Sequence, residues 1–301
     1  MKVFKIVLLV ILIGLGCLLS GCGETKAEKH FRQGNEYYSQ GKYEQAIDSY
    51  QKAIELDSDH SPTYNNLGII YEDQGEIDDA VASYQKAIEI DPNNLSGHLF
   101  LGAIYSKQGK LGDAITKYKQ ILQIDPNYAV AHHDLGHFYH IQGKYEQAIA
   151  KYLHVIDLPP EEKYGDYLSS SAHYSLAGIY RKQGKVEEAL AKFRQAIKTE
   201  VDPNIAPAWT NQCQGGIYHT QGKLDNAISE YQQVIKIEPK NIWGHYDLAC
   251  VYSLKNEPQL AIESLQKAID SDRSFIELSK TDPDLDNIRQ TPEFQQLINS
   301  D

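Results

Sequence analysis

The chain has 301 residues, of which 42% are hydrophobic and 23% charged, so it carries enough apolar side chains to fold. Its 41 acidic residues outnumber its 29 basic residues, which gives a net charge of −12 at pH 7 and argues against nucleic acid as a partner. We find no glycine-rich phosphate loop, nucleophile elbow, zinc-helix motif or paired-cysteine site. We therefore predict that the protein is not an enzyme and uses no cofactor.

The first segment, residues 1–21, has the layout of a secretory signal peptide. Two lysines precede an apolar run that ends at Leu19, and two small residues then lead to Cys22. The stretch from Leu19 to Cys22 resembles the bacterial lipobox. This resemblance implies that Cys22 is lipidated and becomes the first residue of the mature chain. Residues 22–26 are then a short tether, which holds the folded part close to the bilayer.

An uncleaved membrane helix is the alternative interpretation of the same apolar run. A spanning helix needs about 20 apolar residues, and this run is shorter and carries Gly14 and Gly16. We therefore prefer the lipoprotein interpretation. The alternative implies an assembly factor for an inner-membrane or thylakoid-membrane complex.

Beyond the tether, a helix-stop residue returns at a nearly fixed interval. The first four glycines lie 34 residues apart, and later spacings are 41, 38 and 34. The positions are Gly41, Gly75, Gly109, Gly143, Gly184, Gly222 and Asn256. Glycine, and next to it asparagine, tolerates the left-handed backbone conformation that ends a helix. A period of this size predicts a solenoid of stacked helical hairpins.

Small residues and aromatics flank each stop at fixed distances. Gly68 and Tyr71 precede one stop, and Ala80 and Tyr84 follow it. Small residues let two helices approach closely, and the aromatics fill the space between them. The pattern resembles the tetratricopeptide repeat (TPR). This resemblance implies an all-α, right-handed superhelical solenoid of about seven TPR helix-turn-helix repeats plus C-terminal capping helices. Twelve of the 21 tyrosines occupy the two aromatic positions and are predicted to be core residues.

The repeat spacing also predicts how the chain is divided. Repeats 1–4 occupy residues 27–162, an insertion follows at 163–169, repeats 5–7 occupy 170–275, and a cap occupies 276–301. We expect the array to bend at the insertion. In the cap, apolar residues are predicted to cover the last hairpin while the charges face water; these apolar residues are Leu285, Ile288, Phe294, Leu297 and Ile298.

The TPR resemblance implies that the first helix of each repeat lines a concave groove. The groove residues predicted to contact a partner are Asn35, Tyr38, Asn65, Ile69, Leu99, His133, His137, His140, Tyr174, Arg181, Trp209, Trp243 and Tyr246. This mixed aromatic and polar surface suits an extended peptide or a partner helix. Asn35 and Asn66 match two places of the clamp by which chaperone-binding TPR domains hold a carboxylate. The cations of that clamp are missing, so we reject a chaperone tail as the ligand.

Three histidines share the groove face of one predicted helix. His133 and His137 are four residues apart and could chelate a metal, but His140 lies about 10 Å along the helix axis from His133. Because no groove carboxylate completes a site, we predict no metal. A metal- or pH-responsive binding protein that uses this face is an alternative function. Cys213 and Cys250, in adjacent repeats, either form a disulfide or fill the core as small apolar residues.

These features predict a lipid-anchored protein of the bacterial cell envelope, with its TPR domain on the periplasmic side of the membrane. The predicted role is a scaffold or assembly factor whose protein partners are membrane-associated. Lipoproteins of similar plan recruit cell-wall hydrolases, help assemble outer-membrane β-barrels, or pilot secretion and pilus components. The sequence leaves the choice among these clients, the membrane that carries the anchor and the oligomeric state open.

Overall fold

The regularly placed stops divide the chain into helices of similar length. The computed structural model describes residues 24–159, 166–198 and 206–299, which form α-helices and one short 3-10 helix without any strand. Consecutive helices pair as α1 (Lys26–Ser39) with α2 (Tyr43–Leu56), α3 (Ser61–Gln74) with α4 (Ile77–Ile90), α5 (Leu95–Lys107) with α6 (Leu111–Ile124), α7 (Ala129–Ile141) with α8 (Tyr145–Asp157), α9 (Asp166–Lys182) with α10 (Val186–Lys198), α11 (Ala206–Thr220) with α12 (Leu224–Ile237), and α13 (Ile242–Leu254) with α14 (Pro258–Ser271). The cap follows as α15 (Phe275–Thr281), a 3-10 helix (Pro283–Leu285) and α16 (Pro292–Asn299). The predicted all-α solenoid of TPR hairpins is confirmed.

Each hairpin turns at the stop residue that the sequence analysis identified. The six stop glycines have φ angles between 68° and 83°, and Asn256, with φ 58°, is the one non-glycine residue of positive φ in the described chain. The turns share one hydrogen-bond pattern: the amide of Gly109 donates to Ser106 O at 2.8 Å, and that of Lys110 to Tyr105 O at 2.8 Å. These bonds satisfy carbonyl groups that the end of the helix leaves without partners.

The core of a typical hairpin is a glycine covered by a buried aromatic ring. A Cβ atom at Gly68 would lie 2.5 Å from Cε1 of Tyr84, and one at Gly215 would lie 2.5 Å from Cε1 of Tyr231. The five tyrosines at this second aromatic position are at most 3% exposed: Tyr50, Tyr84, Tyr118, Tyr152 and Tyr231. Their predicted place in the core is confirmed. In the last hairpin the equivalent pair is Ala249 and Leu265, both fully buried. The last hairpin thus combines a residue larger than glycine with a side chain smaller than tyrosine.

The tyrosines at the first aromatic position lie nearer the surface, where most of them are half-buried. A lysine of the Gln-Gly-Lys turn lies over the ring in several repeats, as Lys110 does at 5.9 Å from the centroid of Tyr105 and Lys223 at 6.0 Å from that of Tyr218. This cation–π contact gives the lysine of the turn signature a packing role in addition to its charge.

The chain falls into two compact units, Met1–Pro92 and Asn93–Asp301. The described part of the first unit consists of α1 to α4. The second unit contains α5 to α14 and the cap, and within it α8 packs against α9, which begins at Asp166 inside the predicted insertion. The division therefore precedes the third hairpin. Of the predicted insertion, residues 163–165 lie outside the described part of the chain.

The predicted signal peptide, the lipidation site Cys22 and residue 23 lie outside the described residues as well. Among the helices that are described, none combines the length and the apolar character needed to cross a membrane.

The cap covers the last hairpin largely as predicted. Leu285, Ile288, Phe294 and Leu297 are buried, and Ile298 is half-buried. The prediction that the charges of the cap face water is wrong for two of them, Asp282 and Asp284, which turn into the protein and meet cations there.

Candidate protein-binding site on the first helices of the repeats

In the first unit, the structure withdraws most of the predicted groove residues from solvent. Asn35, Asn65 and Ile69 are 8%, 6% and 4% exposed, so they pack between helices. Tyr38 is half-buried, and its hydroxyl donates to Asp73 Oδ2 at 2.9 Å. Of these four predicted residues, Tyr38 is the one whose ring remains accessible to a partner.

Asn35 and Asn66, the two residues that matched part of a carboxylate clamp, belong to a buried hydrogen-bond network. The Tyr50 hydroxyl donates to Asn35 Oδ1 at 2.6 Å, and Asn66 Nδ2 donates to the same oxygen at 2.7 Å. The network joins α1, α2 and α3. Because each amide already has a partner inside the protein, these asparagines hold the hairpins together instead of facing a ligand.

In the second unit, the predicted histidine face is covered. His133 Nε2 lies 2.8 Å from Ser171 Oγ, and the ring of His137 lies 5.5 Å from that of Trp243 and 6.1 Å from that of Phe275. His140 is 4% exposed and stacks on Trp243 at 6.5 Å with an interplanar angle of 18°. Helix α13 and the start of the cap therefore occupy the face that we predicted to be open to a partner or a metal.

The remaining predicted aromatic anchors also lie inside the second unit, as does the aliphatic Leu99, which is 7% exposed. Tyr174 is 9% exposed and donates its hydroxyl to Asp247; Tyr246 is 2% exposed and donates to Asp282 Oδ2 at 2.7 Å. Trp209 is half-buried, and its Nε1 donates to Ala196 O at 3.2 Å. The prediction that Tyr174 and Tyr246 are exposed anchors is wrong, because the protein itself supplies partners for both rings and hydroxyls.

Asp247 is the centre of a second buried network that sequence analysis missed. Gln212 Nε2 donates to Asp247 and, at 2.8 Å, to the hydroxyl of Tyr174. Burial raises the pKa of the Asp247 carboxyl to about 6, while the hydrogen bond from Tyr174 and the Arg181 charge oppose that rise. The network links α9, α11 and α13, the first helices of the last three repeats.

Residues 282–285 of the cap, which we call the acidic segment, bring two carboxylates to the same three helices. Lys182 Nζ lies 2.7 Å from Asp282 Oδ2, and both side chains are almost completely buried. Arg181 Nη1 lies 2.5 Å from Asp284 Oδ2, with both side chains 14% exposed. Arg181, predicted to contact a partner in trans, thus contacts the chain's own C-terminal region.

These ion pairs overcome the effect of burial on ionisation. Burial raises the pKa of the Asp282 carboxyl. The Lys182 ammonium and the hydrogen bonds from Lys182 and Tyr246 lower it by a larger amount, so the net pKa lies below its ordinary value. Burial lowers the pKa of Lys182, whereas Asp282 raises it, and the net pKa is raised. Both groups are therefore charged at neutral pH, and each is the counter-ion of the other inside the protein.

A small cavity of about 30 Å³ lies beside the ion pairs, and its lining includes His140, Gly178, Arg181, Lys182 and Asp282. Neither ring nitrogen of His140 has a hydrogen-bond partner among the described residues. A Cβ atom placed on Gly178 would meet nothing within 4 Å. The acidic segment thus leaves space for a water-sized polar group at this position.

The cysteines and the candidate metal ligands lie in the same region. Cys213 and Cys250 are both free and buried, so they act as core residues and do not form the disulfide that the sequence left open. Potential ligand atoms of Cys250, Asp282 and Asp284 lie within 4.8 Å of one another. The two carboxylates are already paired with Lys182 and Arg181, so this group of residues is better described as an ion-pair cluster than as a cation site.

Sequence reasoning identified Arg181 but missed Lys182, Asp282 and Asp284. Lys182 follows Arg181 and was not among the predicted groove residues, and the charges of the cap, these two aspartates included, were expected to face water. One signal could have suggested the contact: a basic pair ends the first helix of the fifth repeat, and an Asp-Pro-Asp sequence follows the last repeat. Their separation by about 100 residues hides the pairing, because only the stacking of the hairpins brings them together.

The stacked hairpins, with a site on their first helices, define an α-helical repeat solenoid. Family models described as TPR repeat or tetratricopeptide repeat match residues 34–75, 61–94, 83–116, 102–143, 127–199, 215–256 and 244–275. Because these matches span residues 34–199 and 215–275, the chain belongs to the tetratricopeptide repeat family. Repeats of this family imply protein partners, and proteins with this fold are typically non-enzymatic scaffolds.

Solved structures agree on the fold. A tetratricopeptide repeat protein from Parabacteroides merdae shares 17% identity and superposes with a TM-score of 0.62, over 81% of this chain and 92% of that chain. MamA (25% identity, TM-score 0.48, 55% and 92% of the two chains) and pilF of Pseudomonas aeruginosa (18%, 0.46, 69% and 90%) are more distant in shape. The first of these likenesses shows the fold alone. Among curated proteins, none matches the chain significantly.

Proposed function

We propose that this protein is a lipid-anchored TPR scaffold or assembly factor of the bacterial cell envelope that binds membrane-associated protein partners. One observation carries the proposal: a lipobox-like sequence, Leu19 to Cys22, stands directly before an array of protein-binding repeats. Lipid on Cys22 would hold the array at the membrane, because two or three acyl chains bind a bilayer almost permanently.

The start of α1 supports a short distance between anchor and repeats. Thr25 caps the helix: its hydroxyl accepts from the amide of Glu28 at 3.1 Å, and its own amide donates to Glu28 Oε2 at 2.7 Å. Glu24 pairs with Arg32 at 3.0 Å. Helix α1 and its cap thus begin within a few residues of Cys22, so a tether of residues 22–26 would reach less than roughly 15 Å at about 3.5 Å per extended residue. Partners would meet the first hairpin near the membrane.

The experiment is crosslinking in cells, followed by solubilisation and affinity purification of the full-length protein. Wild type is compared with Cys22→Ser, which removes the lipidation site, and with Tyr38→Ala, which removes the half-buried ring of a predicted groove residue in the first unit. Leu56→Ala is the matched control, because Leu56 is an apolar residue of the same unit and is 53% exposed.

We expect Cys22→Ser to leave the membrane fraction and Tyr38→Ala to lose crosslinked partners, while Leu56→Ala keeps both properties. Mass spectrometry of the mature N-terminus should show Cys22 as an acylated first residue. A mature chain that retains residues 1–21 would instead support the alternative of an uncleaved anchor and a membrane-complex assembly factor. Recovery of no specific partner from any of the variants or from wild type would overturn the scaffold proposal.

The other alternative, a metal- or pH-responsive protein that uses the histidine face, has less support. His133 is hydrogen-bonded to Ser171, and His137 and His140 pack on Trp243, so their nitrogens do not converge on a shared position at the surface.

A further inference from the structure

The acidic segment sits where the first helices of a TPR array present their binding face. Arg181 and Lys182 come from the last turn of α9, His219 from α11 and Tyr246 from α13. All of them approach the two carboxylates: His219 Nε2 lies 3.7 Å from Asp284 Oδ2 and 3.1 Å from Arg181 Nη1, and the Tyr246 hydroxyl donates to Asp282. Three successive repeats thus converge on two aspartates that are separated by one proline.

The convergence has the features of peptide recognition. Two cations are held almost completely out of water, and each has one carboxylate as its partner. The aspartates lie two residues apart on a short turn, where Asp282 Oδ1 accepts from the amide of Asp284 at 3.1 Å. Charge-assisted bonds of this kind are strong and directional, so they select a dicarboxylate of defined spacing.

The segment fills this site incompletely. The cavity beside the ion pairs, the empty space next to Gly178 and the His140 ring without hydrogen-bond partners all lie at its edge. Space for one further polar group therefore remains between the segment and the helices, beside the His140 ring. A ligand with the same carboxylates and one more polar group would satisfy His140 as well.

We propose that the inner face of α9, α11 and α13 is a binding site for an acidic peptide with an Asp-x-Asp pair, and that the acidic segment occupies this site in cis until such a partner displaces it. This inference rests on the proposed scaffold function and names the chemistry of one class of partner. When the partner displaces the acidic segment, the partner's carboxylates bind the same cations, so no buried charge loses its counter-ion.

The cis segment also sets a threshold for binding. A segment tethered within the same chain competes at an effective concentration on the order of millimolar. A free peptide of the same sequence therefore binds the wild type only weakly. Removal of the cis carboxylates should uncover the site.

The probe is a fluorescent peptide with the sequence of residues 280–289, and binding is measured by anisotropy with the full chain. The test variant combines Asp282→Asn with Asp284→Asn. The matched control combines Glu277→Gln with Asp286→Asn, which removes two charges from exposed neighbouring side chains. We expect the test variant to bind the peptide roughly 30- to 100-fold more tightly than wild type, and the control to bind like wild type. Adding Arg181→Gln and Lys182→Gln to the test variant should abolish binding.

A test variant that is folded by circular dichroism but binds no better than the control would overturn the proposal and make the segment a permanent cap. Hydrogen exchange of wild type provides a second test if the variant does not fold. Millimolar peptide should speed the exchange of amides in residues 284–289, whereas unchanged exchange would also overturn the proposal. The outcome is separable from the proposed function: partners captured in cells through Tyr38, together with a negative peptide result, leave the scaffold role intact.

Discussion

A close helix contact in the second unit gives a quantitative test of how the repeats are packed. The perturbation is Gly215→Ala in α11. A Cβ atom at this position would lie 2.5 Å from Cε1 and 2.7 Å from Cδ1 of Tyr231. Tyr231 is 1% exposed, so its ring cannot move towards solvent to relieve the contact. The substitution must therefore push α11 and α12 apart or distort the ring.

Two opposing effects determine how much Gly215→Ala changes the free energy of unfolding. Overpacking a well-filled core costs about 1–3 kcal/mol. Alanine in place of glycine stabilises a helix interior by about 0.5–1 kcal/mol. We therefore expect Gly215→Ala to lower the free energy of unfolding by about 1–2 kcal/mol. The matched control is Gly178→Ala in α9, where a Cβ atom would meet nothing within 4 Å. The control gains the helix term without the clash, so it should be more stable than wild type by about 0.5–1 kcal/mol.

The assay is urea unfolding followed by tryptophan fluorescence. Both tryptophans of the chain, Trp209 and Trp243, lie in the second unit, so the signal reports this unit alone. The transition midpoint should fall for Gly215→Ala and rise for Gly178→Ala, with an unchanged dependence on urea concentration. A Gly215→Ala variant as stable as wild type would refute the packing argument.

The chain itself supplies a rescue for the clash. In the last hairpin, Ala249 and Leu265 occupy the places of Gly215 and Tyr231, and both are fully buried. Tyr231→Leu should therefore offset part of the cost of Gly215→Ala. We expect the double variant to be destabilised by less than the sum of the single variants, which a double-mutant cycle measures.

Three further predictions concern polar groups and the stop residue. Burial lowers the pKa of His219 below its value in the unfolded chain, so the free energy of unfolding should fall as the pH drops below about 6.5. Asp247, with a pKa of about 6, takes up a proton in the folded protein before it does so in the unfolded chain, and this opposes the fall. Asp247→Asn should therefore make the decrease in unfolding free energy between pH 6.5 and pH 4 larger by up to about 3 kcal/mol, as measured by urea unfolding. Asn66→Ala removes a donor to the buried Asn35 network and should destabilise the first unit by about 1–3 kcal/mol; faster amide exchange confined to α1–α3 would show it, and unchanged exchange would contradict it. Asn256→Gly should raise the melting temperature slightly and Asn256→Ala should lower it by the equivalent of about 1 kcal/mol, because only glycine adopts φ 58° without strain; equal melting temperatures for the two variants would argue against this account.

Much of the fold could be predicted because it depends on local rules that repeat. A stop residue with positive φ and a small residue at a close helix approach recur in each hairpin, and an aromatic covers the small residue in all but the last, so an irregular residue in one repeat does not obscure the pattern. Asn256 shows how far this extends, since its left-handed backbone followed from its position in the series alone. The buried tyrosines of the second aromatic position followed for the same reason.

The groove was harder to predict, because a face that points inward in one hairpin can be covered by a distant part of the chain. Tyr174 and Tyr246 do lie on first helices as expected, but the network of Asp247 and the acidic segment bury them. Periodicity along one helix contains no information about what packs onto it from far along the chain. The charges of the cap were misassigned for the same reason.

The amino-acid sequence by itself determined the helical hairpins, their turns and their membership of the TPR family, because these depend on contacts within about 34 residues. Only the tertiary structure decided which groove residues remain accessible and that Lys182 meets Asp282. That ion pair joins the fifth repeat to the cap across 100 residues, and no short-range pattern records it. A buried charge is favourable only beside its counter-ion, so the pair could be recognised only after the hairpins had been stacked.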